Sequence, residues 1–246
     1  MSATRRVAAE FRAGWLAFIR RRTAVFFTFL FPTILIVIFG ALVRTGPGGL
    51  FAEPPAYYVP GYLAVVVLFT PLSRVSSTVA RSRSGRRFEK LATTPLTRGE
   101  WLLAHTLVNV VLVGVACVLV FLLALVITGA AVTFAPALVP LVALGTVLFC
   151  GVGALLGRLA GSQDGAIAAA NTIGLPLLFL SDTFVPTSML PAWFSPLLSL
   201  SPLTYFARGT RAVVLGTGGW TGDLAVLGAL AVLAFGLGAR FLPWRD

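Results

Sequence analysis

Residues 101–127 read WLLAHTLVNVVLVGVACVLVFLLALVI, a run of 27 residues without one charged side chain. A helix rises about 1.5 Å per residue and a bilayer's hydrocarbon core is about 30 Å thick, so about 20 apolar residues suffice to cross it. This stretch exceeds that length, and it does not stand alone. Residues 24–43, a segment starting at about Gly61, and residues 138–159, 167–184 and 224–242 have the same character. The expectation is an all-α, polytopic membrane protein with six transmembrane helices. Composition agrees: 58% of the residues are hydrophobic and 11% charged, with a mean hydropathy of +0.95. Soluble domains run at about 45–50% and about 25%. In 246 residues one membrane domain fits, and a second, soluble domain does not.

The chemistry available to such a chain is narrow. Cys117 and Cys150 lie inside apolar runs and His105 is the only histidine, so no spacing suggests a zinc, haem or disulfide framework. No nucleophile stands beside a base, which argues against an intramembrane enzyme. The acidic residues are Glu10, Glu53, Glu89, Glu100, Asp164, Asp182, Asp223 and Asp246, all expected at or near the interfaces. An ion- or proton-coupled secondary carrier, the alternative transport class, would need carboxylates or histidines within its spans.

The formal net charge of +11 is almost wholly arginine, Lys90 being the only lysine. In a soluble chain this excess would suggest nucleic acid; here it reports topology, and no nucleic-acid partner is expected. With the N-terminus inside, the cytoplasmic side receives Arg5, Arg6, Arg12, Arg20, Arg21 and Arg22, then Arg81, Arg83, Arg86, Arg87, Lys90 and Arg98. Arg158, Arg240 and Arg245 join them, which makes fifteen of the nineteen basic residues. Only Arg44, Arg208 and Arg211 fall outside, with Arg74 in or near the membrane. Both termini are therefore expected in the cytoplasm, with Ser84 inside and Gly48 and Gly218 outside. Ahead of the first span, Val7, Phe11, Trp15, Phe18 and Ile19 form one stripe and Arg5, Arg6, Glu10 and Arg12 lie away from it, as in a helix resting in the interface over residues 1–23. The apolar run behind it is too long for a signal peptide and reads as a retained span.

Polar residues within the spans have two readings each. The second span turns polar at Ser73, Arg74, Ser76, Ser77 and Thr78, so Arg74 either faces a water-filled interior or extends toward the cytoplasmic headgroups. Asn109 and Asn171 either line a translocation path or hydrogen-bond between helices. Residues 181–220 are too apolar for a solvated loop and are interrupted by Pro186, Pro191, Pro196 and Pro202. Short helices that enter the outer half of the membrane and leave again fit this pattern, since irregular backbone at that depth must be covered by protein or water; a loop lying on the outer surface is the other reading.

The cytoplasmic stretch 81–100, RSRSGRRFEKLATTPLTRGE, describes a small helix: Gly85 to turn the chain, Phe88 and Leu91 on one side, Thr94 and Pro95 to end it. A solvated basic loop is the alternative. The stretch resembles the signature of ABC type-2 exporter permeases, a basic-Gly-x-x-[EK]-x-L-x-x-[TS]-P segment that forms their cytoplasmic coupling helix. A second match follows. Phe179 to Pro186, Leu190-Pro-Ala-Trp193, the Leu200 to Tyr205 segment containing Ser201 and Pro202, and Arg208 to Arg211 resemble that family's outer re-entrant segment, here residues 181–222. Two positions depart from the pattern, Asp182 where the family often has Gly and Ser201 where it often has Asn.

Together with the N-terminal helix and the spans, the resemblance covers the chain as a single permease domain, similar to daunorubicin-resistance exporter permeases. It implies that Gly85, Arg86, Arg87, Phe88, Glu89, Leu91, Thr94 and Pro95 couple the chain to a separate ATPase. Phe88 and Leu91 would fill a groove on that partner and Glu89 would meet a basic residue there. Asp182, Pro186, Pro191, Trp193, Pro202 and Tyr205 would shape the outer segment. The chain lacks the Gly-Lys-[Ser/Thr] of a phosphate-binding loop, its only lysine lying between Glu89 and Leu91. ATP and magnesium would therefore sit on the partner, with no cofactor on this chain. The resemblance further implies two ATPase copies, a second permease copy, and residence in the cell membrane among lipids. Drugs, lipids and glycan-linked molecules are the substrates it brings into view.

Overall fold

The computed structural model describes residues 2–38, 54–129, 135–184 and 191–244. The expected end of the first span, Arg44, Gly48, Pro186, Arg245 and Asp246 lie outside them. The described residues are helical throughout, joined by turns: α1 (Ala3–Ile19), α2 (Arg22–Ile36), α3 (Pro55–Ser84), α4 (Arg87–Leu91), α5 (Arg98–Thr128), α6 (Leu138–Leu159), α7 (Gln163–Phe179), α8 (Ser195–Leu198), α9 (Pro202–Val214) and α10 (Trp220–Arg240). A 3-10 turn, Ala192–Phe194, precedes α8. Four of these, α3, α5, α6 and α10, are long and apolar enough to cross a membrane. The chain is a multi-pass membrane protein.

The two remaining expected spans are shorter where described. α2 is a 15-residue helix, and α7 has 17 residues, about 25 Å of helix. α7 begins earlier than its apolar run because Ser162 caps it, the hydroxyl accepting from Gly165 N–H at 3.0 Å. It ends earlier, at Phe179, where the Ser181 hydroxyl donates to the Leu178 carbonyl. The bounds of α5, α6 and α10 fall within four residues of the hydropathy runs, whereas α3 begins six residues before the expected Gly61.

α3 and α6 form the centre of the bundle, and α6 packs on its other side against α10. The contacts are made through glycine. A Cβ on Gly151 would stand 2.4 Å from the Ala234 carbonyl of α10, and one on Gly157 2.4 Å from the Ser76 carbonyl of α3. Between apolar helices in lipid, attraction comes mainly from close packing, and small residues let backbones approach.

The basic ends of the helices gather at one end of the bundle and bind one another's carbonyls. Arg83 of α3 donates to the Arg158 carbonyl and, at 2.7 Å, to that of Ala160; Arg158 reaches the Phe241 carbonyl at 2.7 Å; Arg98 reaches the Arg240 carbonyl at 3.0 Å. The last carbonyls of a helix have no partner within it and carry partial negative charge, so a guanidinium there is held by hydrogen bonds and by the helix dipole together.

α1 corrects an expectation. Its stripe does not simply face lipid: Phe18 is buried against Val108 and Leu112 of α5, with Phe11 and Trp15 half-buried beside it. Arg6 and Glu10, expected on the opposite face, also turn inward. Arg6 Nε donates to Glu100 Oε2 at 3.0 Å while its Nη2 holds Oε1. Glu100 in turn closes a capping box with Thr97 at the start of α5. Half-buried ion pairs, and not the apolar stripe alone, decide which face of α1 packs.

Candidate functional site

The stretch 81–100 folds as α4, a five-residue helix slung across the basic end of the bundle between α3 and α5. The turn into it differs from expectation. Gly85 keeps an ordinary φ of −85° as the cap of α3, and the left-handed residue is Arg86, with φ +51°. The required reversal falls one residue beyond the cap, at Arg86. At the other end the threonines act as anticipated in kind, though α4 stops at Leu91. Thr93 and Thr94 hydroxyls donate to the Lys90 and Leu91 carbonyls at 2.8 and 2.6 Å, and Pro95 follows.

Phe88 requires a correction. It is only 2% exposed and its ring sits among Val75, Val79, Trp101 and Trp244 of this same chain, with centroids 5.0 Å from Trp101 and 5.5 Å from Trp244. Leu91 is half-buried against the same cluster. Neither apolar side chain is free to enter a groove on another protein, because the bundle end and the tail after α10 already enclose them. What α4 presents outward is polar: Arg86, Arg87, Glu89, Lys90, Thr93, Thr94 and Pro95 are exposed, and Glu89 forms no ion pair among the described residues.

A junction not foreseen from the sequence fixes α4 to α1. Glu10 Oε1 accepts from Arg87 Nη2 at 3.0 Å and lies 3.3 Å from His105 Nε2, whose ring packs on Trp101 at 4.2 Å. Burial disfavours the Glu10 charge, but the His105 hydrogen bond and the nearby cations outweigh it and hold its pKa below the usual carboxylate value. α1, α4 and α5 thus meet on one carboxylate. The available signal was the single acid in an otherwise cationic α1 and the single histidine at the start of a span.

At the opposite end, Asp182 is the counter-ion of α9. It is 3% exposed and its Oδ2 accepts from Arg208 Nε at 3.3 Å and Arg211 Nη1 at 3.2 Å. Arg211 also donates to the Asp182 backbone carbonyl at 2.6 Å, and its guanidinium stacks 4.2 Å above Tyr57 at the start of α3. The acid that departs from the family pattern is thereby explained: two arginines of α9 face it. Pro202 opens α9 at its first turn. Ser201 Oγ donates to the Leu177 carbonyl at 2.9 Å and Tyr205 Oη to that of Ser199 at 3.0 Å. Pro191 and Trp193 are exposed.

A family model described as ABC-2 type transporter matches residues 6–215, a span from α1 through α4 and the pair of Asp182 and Arg211 to the end of α9. The chain belongs to the ABC-2 type transporter family. The daunorubicin resistance ABC transporter permease protein DrrB1 of Streptomyces coeruleorubidus is 26% identical over 221 residues, covering 87% of this chain and 75% of that protein. As a transporter permease, the chain is the membrane subunit of an ABC transporter, and the family implies association with an ABC ATPase.

The permease separates Arg74, Asn109 and Asn171, the three candidates for a translocation path. Arg74 and Asn109 belong to one site: Arg74 Nε donates to Asn109 Oδ1 at 3.1 Å, Asn109 donates to the His105 carbonyl at 2.8 Å, and the Arg74 guanidinium lies 4.3 Å above the Phe18 ring of α1. Asn109 is 3% exposed and thus engaged within the chain. Asn171 is elsewhere, exposed on α7 beside Thr172 and Leu175.

Proposed function

We propose that this permease is the membrane half of an ATP-driven exporter in which two copies of the chain act with two copies of a separate ATPase, and α4 is the element through which ATP binding moves the spans. The observation that carries the reading is the construction of α4. Its apolar side is locked into the end of the bundle by Phe88, so a force on its exposed polar face is transmitted to α3, α5 and the tail after α10. A loop that served only to set topology would need no such anchor. Contact with the ATPase is then polar and centred on Glu89, Lys90 and Arg86. ATP and magnesium are held by the partner, and this chain supplies no nucleotide site.

The reading completes the topology with six spans, α2 and α7 joining the four long helices. The arginine-rich end lies in the cytoplasm of the cell membrane together with both termini, and the 181–222 segment re-enters the outer half of the bilayer. The apolar spans suit an amphipathic drug, lipid or glycan-linked molecule, and the resistance named for the Streptomyces relative favours a drug.

Glu89→Arg tests the coupling. Reversing one exposed charge touches no buried contact, so the variant is expected to insert and melt as the parent does while substrate-stimulated ATP hydrolysis by the co-purified partner falls at least about tenfold, the size of a lost ionic contact worth about 1.4 kcal/mol. Hydrolysis and transport at parental rates would refute the assignment of α4. Topology is tested separately with Cys117 and Cys150 replaced and single cysteines labelled by an impermeant thiol reagent: Gly218→Cys is expected to react in intact cells and Ser84→Cys only after lysis. Labelling of Ser84→Cys from outside would overturn the arrangement.

A further inference from the structure

Between α1, α3 and α5 at the basic end lies a cavity of about 190 Å³, lined by Arg21, Arg74, Arg81 and Arg87 together with the hydroxyls of Ser77 and Thr78. Four guanidinium-bearing residues share this space and no carboxylate lines it. Arg87 is paired outside the cavity wall with Glu10, and Arg74 meets the neutral amide of Asn109 and the face of the Phe18 ring but no carboxylate. Arg21 and Arg81 form no ion pair among the described residues. A cationic pocket of this size, partly walled by membrane helices, retains its charges only at a cost unless an anion enters.

Phe18 lines this cavity on one side and a second space on the other. That space is a largely apolar groove of about 450 Å³ between α1, α2 and α5, bordered by Trp15, Ile19, Phe26, Phe29, Leu112 and Val115, with Arg22 its one charged residue. A cationic, hydroxyl-bearing cavity thus adjoins a hydrocarbon-lined channel running along two apolar helices. One molecule has the complementary form, with a phosphate at one end and an acyl chain at the other.

We propose that the permease holds an anionic phospholipid here, its phosphodiester among Arg21, Arg74 and Arg81 with Ser77 and Thr78 donating to it, and an acyl chain in the groove beside Val115. Arginine presents several donors in a plane and suits phosphate oxygens, and basic pockets between transmembrane helices select lipids with net negative headgroups. Bound there, the lipid would bridge α1 to α3 and neutralise charges that otherwise repel one another across the α1–α3 contact.

The test uses the full chain in detergent, where both faces are accessible, so its outcome does not depend on the topology read by thiol labelling. Dioleoylphosphatidylglycerol, dioleoylphosphatidylcholine and inorganic phosphate are titrated against melting temperature. Phosphatidylglycerol is expected to raise it saturably and the other two to leave it unchanged. The double variant Arg21→Gln/Arg81→Gln, which breaks no ion pair, is expected to raise the half-saturating phosphatidylglycerol concentration at least about tenfold. Val115→Phe, which fills the groove and leaves every charge in place, is expected to weaken the response independently and keeps the proposal testable if the double variant does not fold. Equal stabilisation by inorganic phosphate would make this a soluble-anion site and overturn the lipid assignment. Equal responses to the two lipids, or parental responses in both variants, would overturn it as well.

Discussion

Replacing Asp182 with Ala is expected to destabilise the permease by about 3–5 kcal/mol, the cost of removing one partner from a buried ion pair. The carboxylate is enclosed and its Oδ2 serves two arginines, so the variant leaves Arg211 facing Tyr57 and two backbone carbonyls without a counter-charge. Arg208, more exposed, recovers part of its hydration, and most of the penalty therefore falls on Arg211. The effect should appear as a lower melting temperature of the detergent-solubilised chain. Removing the stranded charge as well, in Asp182→Leu with Arg211→Met, should restore stability in part, because an apolar pair costs no desolvation of charge. A melting temperature for Asp182→Ala within a degree of the parent would mean that this cluster does not hold α9 to the end of α7.

Phe88→Ala is expected to cost about as much, about 3–5 kcal/mol, by a different route. The ring is enclosed by Trp101, Trp244 and the side chains of α3, and its loss empties the space beneath α4. The expected signature is reduced folded yield and altered tryptophan fluorescence, with Phe88→Leu retaining most of the stability because it refills much of the volume. Uncoupling in Phe88→Ala would accompany this loss of stability, whereas Glu89→Arg should uncouple without it. The comparison separates anchoring from contact, and a Phe88→Ala chain as stable as the parent would remove the anchor on which the coupling reading stands.

Hydropathy made the long helices legible because lipid rewards uniform apolarity along the chain. The run at 101–127 became α5 (Arg98–Thr128), and 138–159 coincided with α6. α7 was misplaced by four or five residues at each end because hydroxyl groups, Ser162 at its start and Ser181 beyond its end, set its bounds where hydropathy changes little. The 81–100 stretch was readable as a helix, but the direction of Phe88 was not. An amphipathic five-residue segment looks the same whether its apolar side meets a partner or its own bundle, and Trp244, which decides the matter, lies over 150 positions away. Separations of 77 and 95 positions hid the meeting of Glu10 with Arg87 and His105, and separations of 26 and 29 that of Asp182 with Arg208 and Arg211. Charge pairs across a fold leave no periodic trace; only the scarcity of acids in so basic a chain draws attention to Glu10, Glu100 and Asp182, which the fold pairs with arginine.

The glycine contacts of α6 bear on how such a machine can move. Where Gly151 meets Ala234 and Gly157 meets Ser76, backbone touches backbone, and no side chain stands between them to change rotamer and permit sliding. α3, α6 and α10 must therefore travel together as one stiff plate. Displacement imposed at α4 would emerge as a tilt of that plate, with the hinge along the border with α1, where contact is made by long side chains, Phe18 meeting Arg74 of α3. A cross-link between α6 and α10 should then leave the transport cycle running, while one between α1 and α3 should arrest it.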